Sequence, residues 1–388
     1  MCMILKRLLL VMFVGIGMQL GSDLASAQVT TPTRAIPPPD DTPSVRVGGT
    51  VFLDYTSTLE PEIRDTDGNL VSASSFNVVR TYINVAGQLN HLFSFRITPD
   101  IARETSTTSS LSGSMELRLK YGYLQFNLDD WLWRESAQGT TFVRFGMIQT
   151  PYVEFEEGIY RYRFQGPVFV DRERFLSSAD FGVAFRTQFP GGYGEVFTGL
   201  YNGEGYNRAD PNDQKAFQTR GSLRPVPGPG LLRGLRLTLF YDDDHYVKDA
   251  DRTRLVSLVS YEHRFVNAGW SYLDAADQES LTRTRIKSSG HSIWVTPRWQ
   301  HGTLPPAPAS GQVRAQLEGL FRYDRLEPNH SNDSVKERSI TGIAYWPRMT
   351  NNRVTLALLL NYEQVKYQDY MPAVATEKRV MLHGLVSF

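Results

Sequence analysis

The sequence predicts an all-β fold, a transmembrane antiparallel β-barrel of about sixteen strands. Apolar and polar residues alternate with period two along most of the chain, which is the pattern of strands with one apolar face. Beyond the N-terminal region, no stretch approaches the roughly 18 uninterrupted apolar residues that a spanning helix needs. Aromatic residues make up 12% of the chain, yet the mean hydropathy is only -0.32. That combination is expected when each strand turns apolar side chains to lipid and polar ones to a lumen.

The N-terminus has the pattern of a secretory signal peptide, residues 1–27. Basic residues precede an apolar run over 8–18, and the small residues of 25–27 predict cleavage before Gln28. Cys2 is the only cysteine, so the mature chain is expected to hold no disulfide. The chain is therefore predicted to be exported.

Residues 28–44 are rich in proline and polar residues and are interpreted as an extended periplasmic spacer. The barrel domain is predicted to occupy 45–388 without a further boundary. A formal net charge of zero gives no overall attraction to nucleic acid, so no such partner is expected.

Catalytic and cofactor signals are weak. The histidines are scattered and none pairs with a serine in a pattern typical of a nucleophile and its base, so no enzymatic activity is predicted. No cofactor is expected either, because no glycine-rich phosphate loop or metal-ligand cluster is recognised. The segment 242–245 (Asp-Asp-Asp-His) is interpreted as a charged external loop, at most a weak divalent-cation site.

Sixteen segments of period two follow the spacer. They lie near 45–56, 75–88, 91–101, 113–127, 140–147, 180–189, 193–202, 215–224, 233–243, 252–263, 264–274, 287–300, 311–324, 335–347, 353–365 and 377–388. Odd-numbered connections are long and even-numbered ones are mostly short, as expected for a barrel whose N-terminus is periplasmic. Sixteen strands enclose a lumen wide enough for water.

The clearest alternation gives the two faces of the wall. In the fourth segment, the residues predicted on lipid are Met115, Leu117, Leu119, Tyr121 and Tyr123. In the fifteenth, they are Val354, Leu356, Leu358, Leu360 and Tyr362. The same reasoning places Val79 of the second segment on lipid.

Basic side chains dominate the inward positions of segments two to eight, where Glu116 is the single mid-strand acid recognised. The predicted pore-lining basic residues are Arg80, Arg96, Arg118, Lys120, Arg144, Arg186 and Arg220. A ladder of arginines selects anions, and the guanidinium fork suits small oxyanions. Two alternatives stay open: a general-diffusion pore in which loop acids balance this wall, and a plugged structural or adhesive barrel.

The longest connection, 148–179, follows the fifth segment. It is too long for a simple turn, and its many aromatic residues indicate order. In sixteen-stranded porins the loop at this position folds inward, which predicts a constriction loop; the alternative is an external loop packed on its neighbours. The residues it would bring to the constriction are Tyr152, Glu154, Glu156, Glu157, Arg161, Arg163, Arg172 and Arg174.

The last ten residues, 379–388, place Val380, Leu382 and Phe388 on one face of a strand that ends with the chain. This segment resembles the closing strand of bacterial outer-membrane β-barrels. The resemblance implies location in the outer membrane, contact with its lipid, and recognition of Phe388 by the barrel-insertion machinery.

Several motifs carry a further resemblance. The segments 76–80 (FNVVR) and 93–96 (FSFR) are followed by 145–152 (FGMIQTPY), 180–183 (DFGV) and 201–205 (YNGEG). In order and spacing they resemble the phosphate-selective porin O/P family. The resemblance implies a homotrimer and a channel for small anions, phosphate among them, with arginines that pass the anion along the wall.

Overall fold

The computed structural model describes residues 41–132, 140–210, 212–300, 316–347 and 354–388. The predicted signal peptide and most of the predicted spacer lie outside the described residues, as does the predicted start of the thirteenth strand at 311.

Within the described residues, sixteen antiparallel strands form one closed barrel in which each strand pairs with its neighbours in sequence. In chain order they are β1 (Ser44–Glu60), β2 (Ser74–Gln88), β3 (Phe93–Arg103), β4 (Met115–Asn127), β5 (Phe142–Gln149), β6 (Ala179–Phe189), β7 (Gly194–Tyr201), β8 (Ala216–Leu223), β9 (Leu235–Val247), β10 (Ala250–Glu262), β11 (Val266–Asp277), β12 (Ile286–Gln300), β13 (Gln316–Glu327), β14 (Val335–Trp346), β15 (Thr355–Gln368) and β16 (Glu377–Ser387). The predicted fold class is confirmed. The barrel closes where β1 meets β16, and Phe388 N donates to Gly49 O at 3.0 Å.

The connections contain little regular structure. Two helices, α1 (Val153–Tyr160) and α2 (Phe169–Arg172), lie between β5 and β6. Two 3-10 turns span Pro190–Gly192 and Leu231–Gly234. A two-stranded hairpin lies between β1 and β2. Among the described residues, no helix has the length and hydrophobicity required to cross a membrane.

The outer face of the barrel is apolar, as period-two alternation predicts. Leu117 is 67% exposed, and on β15 Leu358 and Leu360 are exposed between buried Leu359 and Asn361. Such a wall suits lipid on its outer side and leaves polar groups to the interior.

A bulge in β4 reverses this alternation halfway along the strand. Thr98 pairs with Tyr121 and Pro99 with Leu119, so Lys120 is an extra residue. One inserted residue moves the following side chains to the other face. Tyr121 is consequently 1% exposed and Arg144 stacks on Tyr123 from within. The prediction that Tyr121 and Tyr123 face lipid is wrong.

A second bulge lies in β2. Leu53 pairs with Val78 and Phe52 with Arg80, so Val79 is the extra residue. Val79 packs against the buried interior cluster, contrary to its predicted lipid-facing position. Arg80 still points inward because the bulge brings two successive side chains to the same side of the strand.

The acidic segment 242–245 lies in β9 and not in an external loop. Val247 pairs with Ala250, which leaves a two-residue turn in which Asp249 has a φ of 64°. Asp244 is buried and accepts hydrogen bonds from Arg252. No group of three or more potential metal ligands is found in the described residues, so the cation site proposed for this segment has no structural support.

Candidate permeation pathway

The connection between β5 and β6, here called the inner segment (residues 150–178), begins against the wall of β8 and β9. Arg220 Nε donates to Pro151 O at 2.5 Å. The Tyr152 ring packs on Phe240 with 5.4 Å between centroids. Both partners project inward from their strands, so the segment enters the interior directly after β5.

The middle of the inner segment packs on β12, β13 and β14. Tyr160 packs on Trp294 with 5.4 Å between ring centroids. Tyr162 Oη donates to Glu318 Oε2 at 2.7 Å, and its ring meets Trp346 edge-on at 5.9 Å. The inward-facing aromatic side chains of the wall thus pack against apolar side chains of the inner segment. Together they form a buried core on this side of the barrel.

The end of the inner segment is held by ion pairs to β14 and β15. Arg172 Nη1 lies 3.3 Å from Glu363 Oε2. Lys336 Nζ lies 2.7 Å from Glu173 Oε2. The segment is therefore anchored to the inner wall at its beginning, middle and end.

The other side of α1 faces the wall of β2 to β4. Tyr121 Oη donates to Glu154 Oε1, and Glu157 Oε1 lies 2.7 Å from Arg163 Nε. Burial raises the pKa of Glu157 to about 7, against the opposing effect of Arg163 and Lys120. Burial likewise raises the pKa of Glu156, which is 1% exposed, to about 7.

The space next to Gly158, on the side of α1 that faces β2 to β4, is open. The residue is exposed, and a Cβ built on it meets no atom within 4 Å. Neighbouring Ile159 and Tyr160 are buried on the opposite side of the helix. A solute that passes α1 would therefore meet the Gly158 face.

A cavity of about 820 Å³ lies at one end of the inner segment. Eight arginines and six carboxylates line it, which leaves an excess of basic groups. Five of the predicted site residues converge there: Arg80, Arg118, Arg163, Arg172 and Arg174.

Several inward acids were missed by the sequence reasoning, and two of them each pair with two arginines. Asp100 is buried, with Arg118 Nε at 3.2 Å and Arg80 also paired to it. Glu195 is buried between Arg220 Nη2 at 2.6 Å and Arg186 Nε at 3.1 Å. Glu116 is therefore not the single acid on this wall. Asp100 lies in phase with the inward residues Arg96 and Thr98, so the alternation of β3 could have identified it. Glu195 is the second residue of the short strand β7, where alternation alone does not tell the inner face from the outer one.

The same pairing recurs on the wall of β8 to β13. Glu262 Oε1 lies 3.1 Å from Arg224 Nη2 and 3.2 Å from Arg236 Nη2. Glu318 Oε1 lies 2.5 Å from Arg161 Nη2 and 3.1 Å from Arg298 Nε. In the described part of the chain, four carboxylates are thus each shared by two arginines: Asp100, Glu195, Glu262 and Glu318. Glu363 is shared by three, Arg172, Arg338 and Arg379.

The remaining predicted wall residues have neutral partners. Arg96 Nη2 donates to Asn84 Oδ1 at 2.9 Å. Arg144 Nε donates to Gln125 Oε1 at 2.8 Å, and Lys120 Nζ lies 4.9 Å from the centroid of the Tyr82 ring. Among the described residues, none of these three cations forms an ion pair with a carboxylate.

Comparison with known proteins shows the fold. No protein-family model and no curated protein matches the sequence. OmpT, an outer-membrane protein of Vibrio cholerae, is similar in structure with a TM-score of 0.53 and 12% identity, over 90% of this chain and 98% of that one. The outer membrane channel DcaP of Acinetobacter baumannii has a TM-score of 0.53 and 13% identity, over 89% and 97% of the two chains. OprB of Pseudomonas putida has a TM-score of 0.51 and 11% identity, over 89% and 94%.

Proposed function

We propose that the chain is a porin of the bacterial outer membrane, through which small hydrophilic solutes diffuse passively with a preference for anions. The apolar outer wall and the barrel shared with outer-membrane proteins support the membrane location. The polar cavity and the open space beside Gly158 support a water-filled path. The proposal includes no enzymatic step.

The observation that carries the anion preference is the sharing of one carboxylate by two arginines. Each of the four groups keeps about one uncompensated positive charge, because a single carboxylate offsets only one guanidinium. Side chains of Arg80, Arg118, Arg161 and Arg186 keep 22 to 36% of their surface exposed. A passing anion can accept hydrogen bonds from the remaining N–H groups of these arginines. The low-dielectric walls strengthen the positive field that attracts the anion.

Three further cations support the same preference. Arg96, Lys120 and Arg144 are held by amide, hydroxyl and aromatic partners, which orient a cation without cancelling its charge. Their field adds to that of the shared groups on the wall of β3 to β5.

A general-diffusion porin with little selectivity is the second candidate. The pKa of Glu157 is raised by burial but lowered by Arg163 and Lys120, and Asp171 lies in the same group of charges. Acids of the inner segment therefore face the basic wall, and the two sets of charges create an electric field across the lumen. Such a field acts on solutes of both signs.

A planar-bilayer experiment separates the two candidates. In a KCl gradient, the reversal potential should have the sign of chloride selectivity. Arg118→Gln leaves Asp100 with a single arginine and should move that potential toward zero. The matched control, Arg283→Gln, removes an exposed arginine from an outer loop and should have no effect. A cation-selective or unselective wild-type pore would contradict the proposal.

The resemblance to phosphate-selective porins makes phosphate the first oxyanion to test. If the shared arginines bind oxyanions, added phosphate should reduce the chloride current more in the wild type than in Arg118→Gln. We also propose that Phe388, which is 63% exposed at the barrel seam, is the residue recognised by the insertion machinery.

A further inference from the structure

A second cavity, of about 400 Å³, lies at the end of the barrel that carries the even-numbered turns. The connection from β8 to β9 and the turn from β10 to β11 form it. Its lining is basic and comprises Arg224, Pro229, Gly230, Arg233, Gly234, Glu262, His263 and Arg264. In the proposed orientation this is the periplasmic rim.

Two of its arginines have no acidic partner among the described residues. Glu262, the single acid of the lining, already holds Arg224 at 3.1 Å. Arg233 and Arg264 are exposed, and among the described residues neither lies within ion-pair distance of a carboxylate. Arg264 instead lies 4.5 Å from the centroid of the Phe265 ring. The pocket therefore offers two guanidinium groups that no carboxylate of the described residues neutralises.

Apolar side chains border this basic pocket. Leu231 is 74% exposed and Leu232 57% exposed, and Phe265 is also exposed. Tyr261 Oη donates to Leu231 O at 2.9 Å, which holds the turn beneath the outward-facing end of β10. The wall directly above continues with exposed leucine and valine side chains on β9 and β10.

We propose that this pocket binds the headgroup of an anionic phospholipid of the inner leaflet. Arg233 and Arg264 bind the phosphate, since a guanidinium donates two parallel hydrogen bonds to such oxygens. The acyl chains lie on Leu231, Leu232 and the outer wall of β9 and β10. A basic pocket with an apolar border at headgroup level matches both parts of the ligand. The inference goes beyond the proposed transport function and rests on the proposed membrane location.

Soluble phosphate compounds carry the same phosphate group as the lipid headgroup. They do not explain why apolar side chains border the pocket. A free phosphate ester would make no contact with the two exposed leucines beside the arginines. A diacyl lipid buries them, and burial of apolar area adds favourable free energy. The lipid is therefore the favoured source of the phosphate.

Native mass spectrometry of the full chain in mild detergent tests the proposal. Phosphatidylglycerol, phosphatidylethanolamine and glycerol 3-phosphate are added separately. The wild type should retain one phosphatidylglycerol in preference to the other two. In Arg233→Gln/Arg264→Gln its affinity should fall about tenfold or more, because two phosphate contacts are lost. The control Arg283→Gln/Arg285→Gln removes two arginines from an outer loop and should retain the lipid.

Equal retention by the two double variants would overturn the proposal. Equal affinity for glycerol 3-phosphate and phosphatidylglycerol would also overturn it, and would identify the pocket as a soluble-phosphate site. Single-channel current is read on the same preparations. A missing current with retained lipid contradicts the porin proposal alone, whereas current without lipid contradicts this inference alone.

Discussion

At the residue scale, the charge of the lumen depends on how arginine and carboxylate are matched. Asp100 and Glu195 show that an inward acid does not cancel a basic wall when two arginines share it. Buried ion pairs cost desolvation, so these acids are better understood as groups that hold arginines in place than as sources of stability. Asp100 and Glu195 thus orient the arginines and at the same time reduce the positive field that those arginines produce.

Gly158 should control the width of the passage. Gly158→Trp places a large ring in the open space beside α1 and should lower single-channel conductance severalfold. Gly158→Ala adds one methyl group and should leave conductance nearly unchanged, while it stabilises the helix by about 1 kcal/mol. Conductance in planar bilayers and thermal unfolding measure both effects. Equal conductance of the tryptophan variant and the wild type would show that solutes do not pass this face.

Glu157 should make selectivity depend on pH. Its pKa of about 7, raised by burial, means that it gains a proton as the pH falls from 8 to 6. The passage then loses a negative charge, so the reversal potential should move further toward chloride. Glu157→Gln at pH 8 should move the reversal potential part of the way toward the wild-type value at pH 6, and Glu156, whose pKa is also about 7, should supply the remaining pH dependence. Glu279→Gln, in an exposed loop, is the control and should keep the full response.

At the element scale, two bulges and one connection determine which side chains meet in the lumen. The bulge at Lys120 brings Tyr121 to α1, where it bonds Glu154. The bulge at Val79 adds an apolar contact to the interior cluster. The inner segment then fills the side of the barrel that carries Trp294 and Trp346, and it leaves the basic wall of β2 to β5 opposite α1.

Cysteine labelling should verify the face reversal in β4. Tyr123→Cys should react with a small water-soluble thiol reagent from the lumen. Leu124→Cys, one residue later, should not react in the membrane, because it lies on the outer face. The mature chain is predicted to contain no native cysteine, so the background is low. Reaction at Leu124 and protection at Tyr123 would mean that the alternation continues unbroken through Lys120.

At the scale of the whole molecule, sixteen strands close on themselves, so the barrel sheet has no free edge in the described residues. The terminal strand seals the barrel against β1, with Thr50 Oγ1 3.0 Å from Ser387 Oγ. Closure separates an apolar exterior from a charged interior. The arginines can therefore act on a solute only from within.

The homotrimer stays a prediction, drawn from the family resemblance. Native mass measurement in mild detergent should give three times the mass of the mature chain, and heating should convert this species to the monomer on a gel. A monomer before heating would contradict the assembly but not the closed barrel of each chain.

The sequence by itself determined the class of fold, the number of strands and the faces of uninterrupted strands such as β15. These features depend on local alternation, and a period of two is visible in any strand that pairs without irregularity. It also predicted Arg80, Arg96 and Arg118 on the inner face, whereas an external position of the connection after β5 stayed open.

Only the tertiary structure decided which neighbours those residues have. A bulge adds one residue and reverses every later face, as at Tyr121, and nothing in the strand itself marks that position. The extension of β9 through Asp244 depends on pairing with β10, and the sharing of Asp100 or Glu195 depends on cross-strand register. Register is a relation between strands, so it becomes visible only when the barrel has closed.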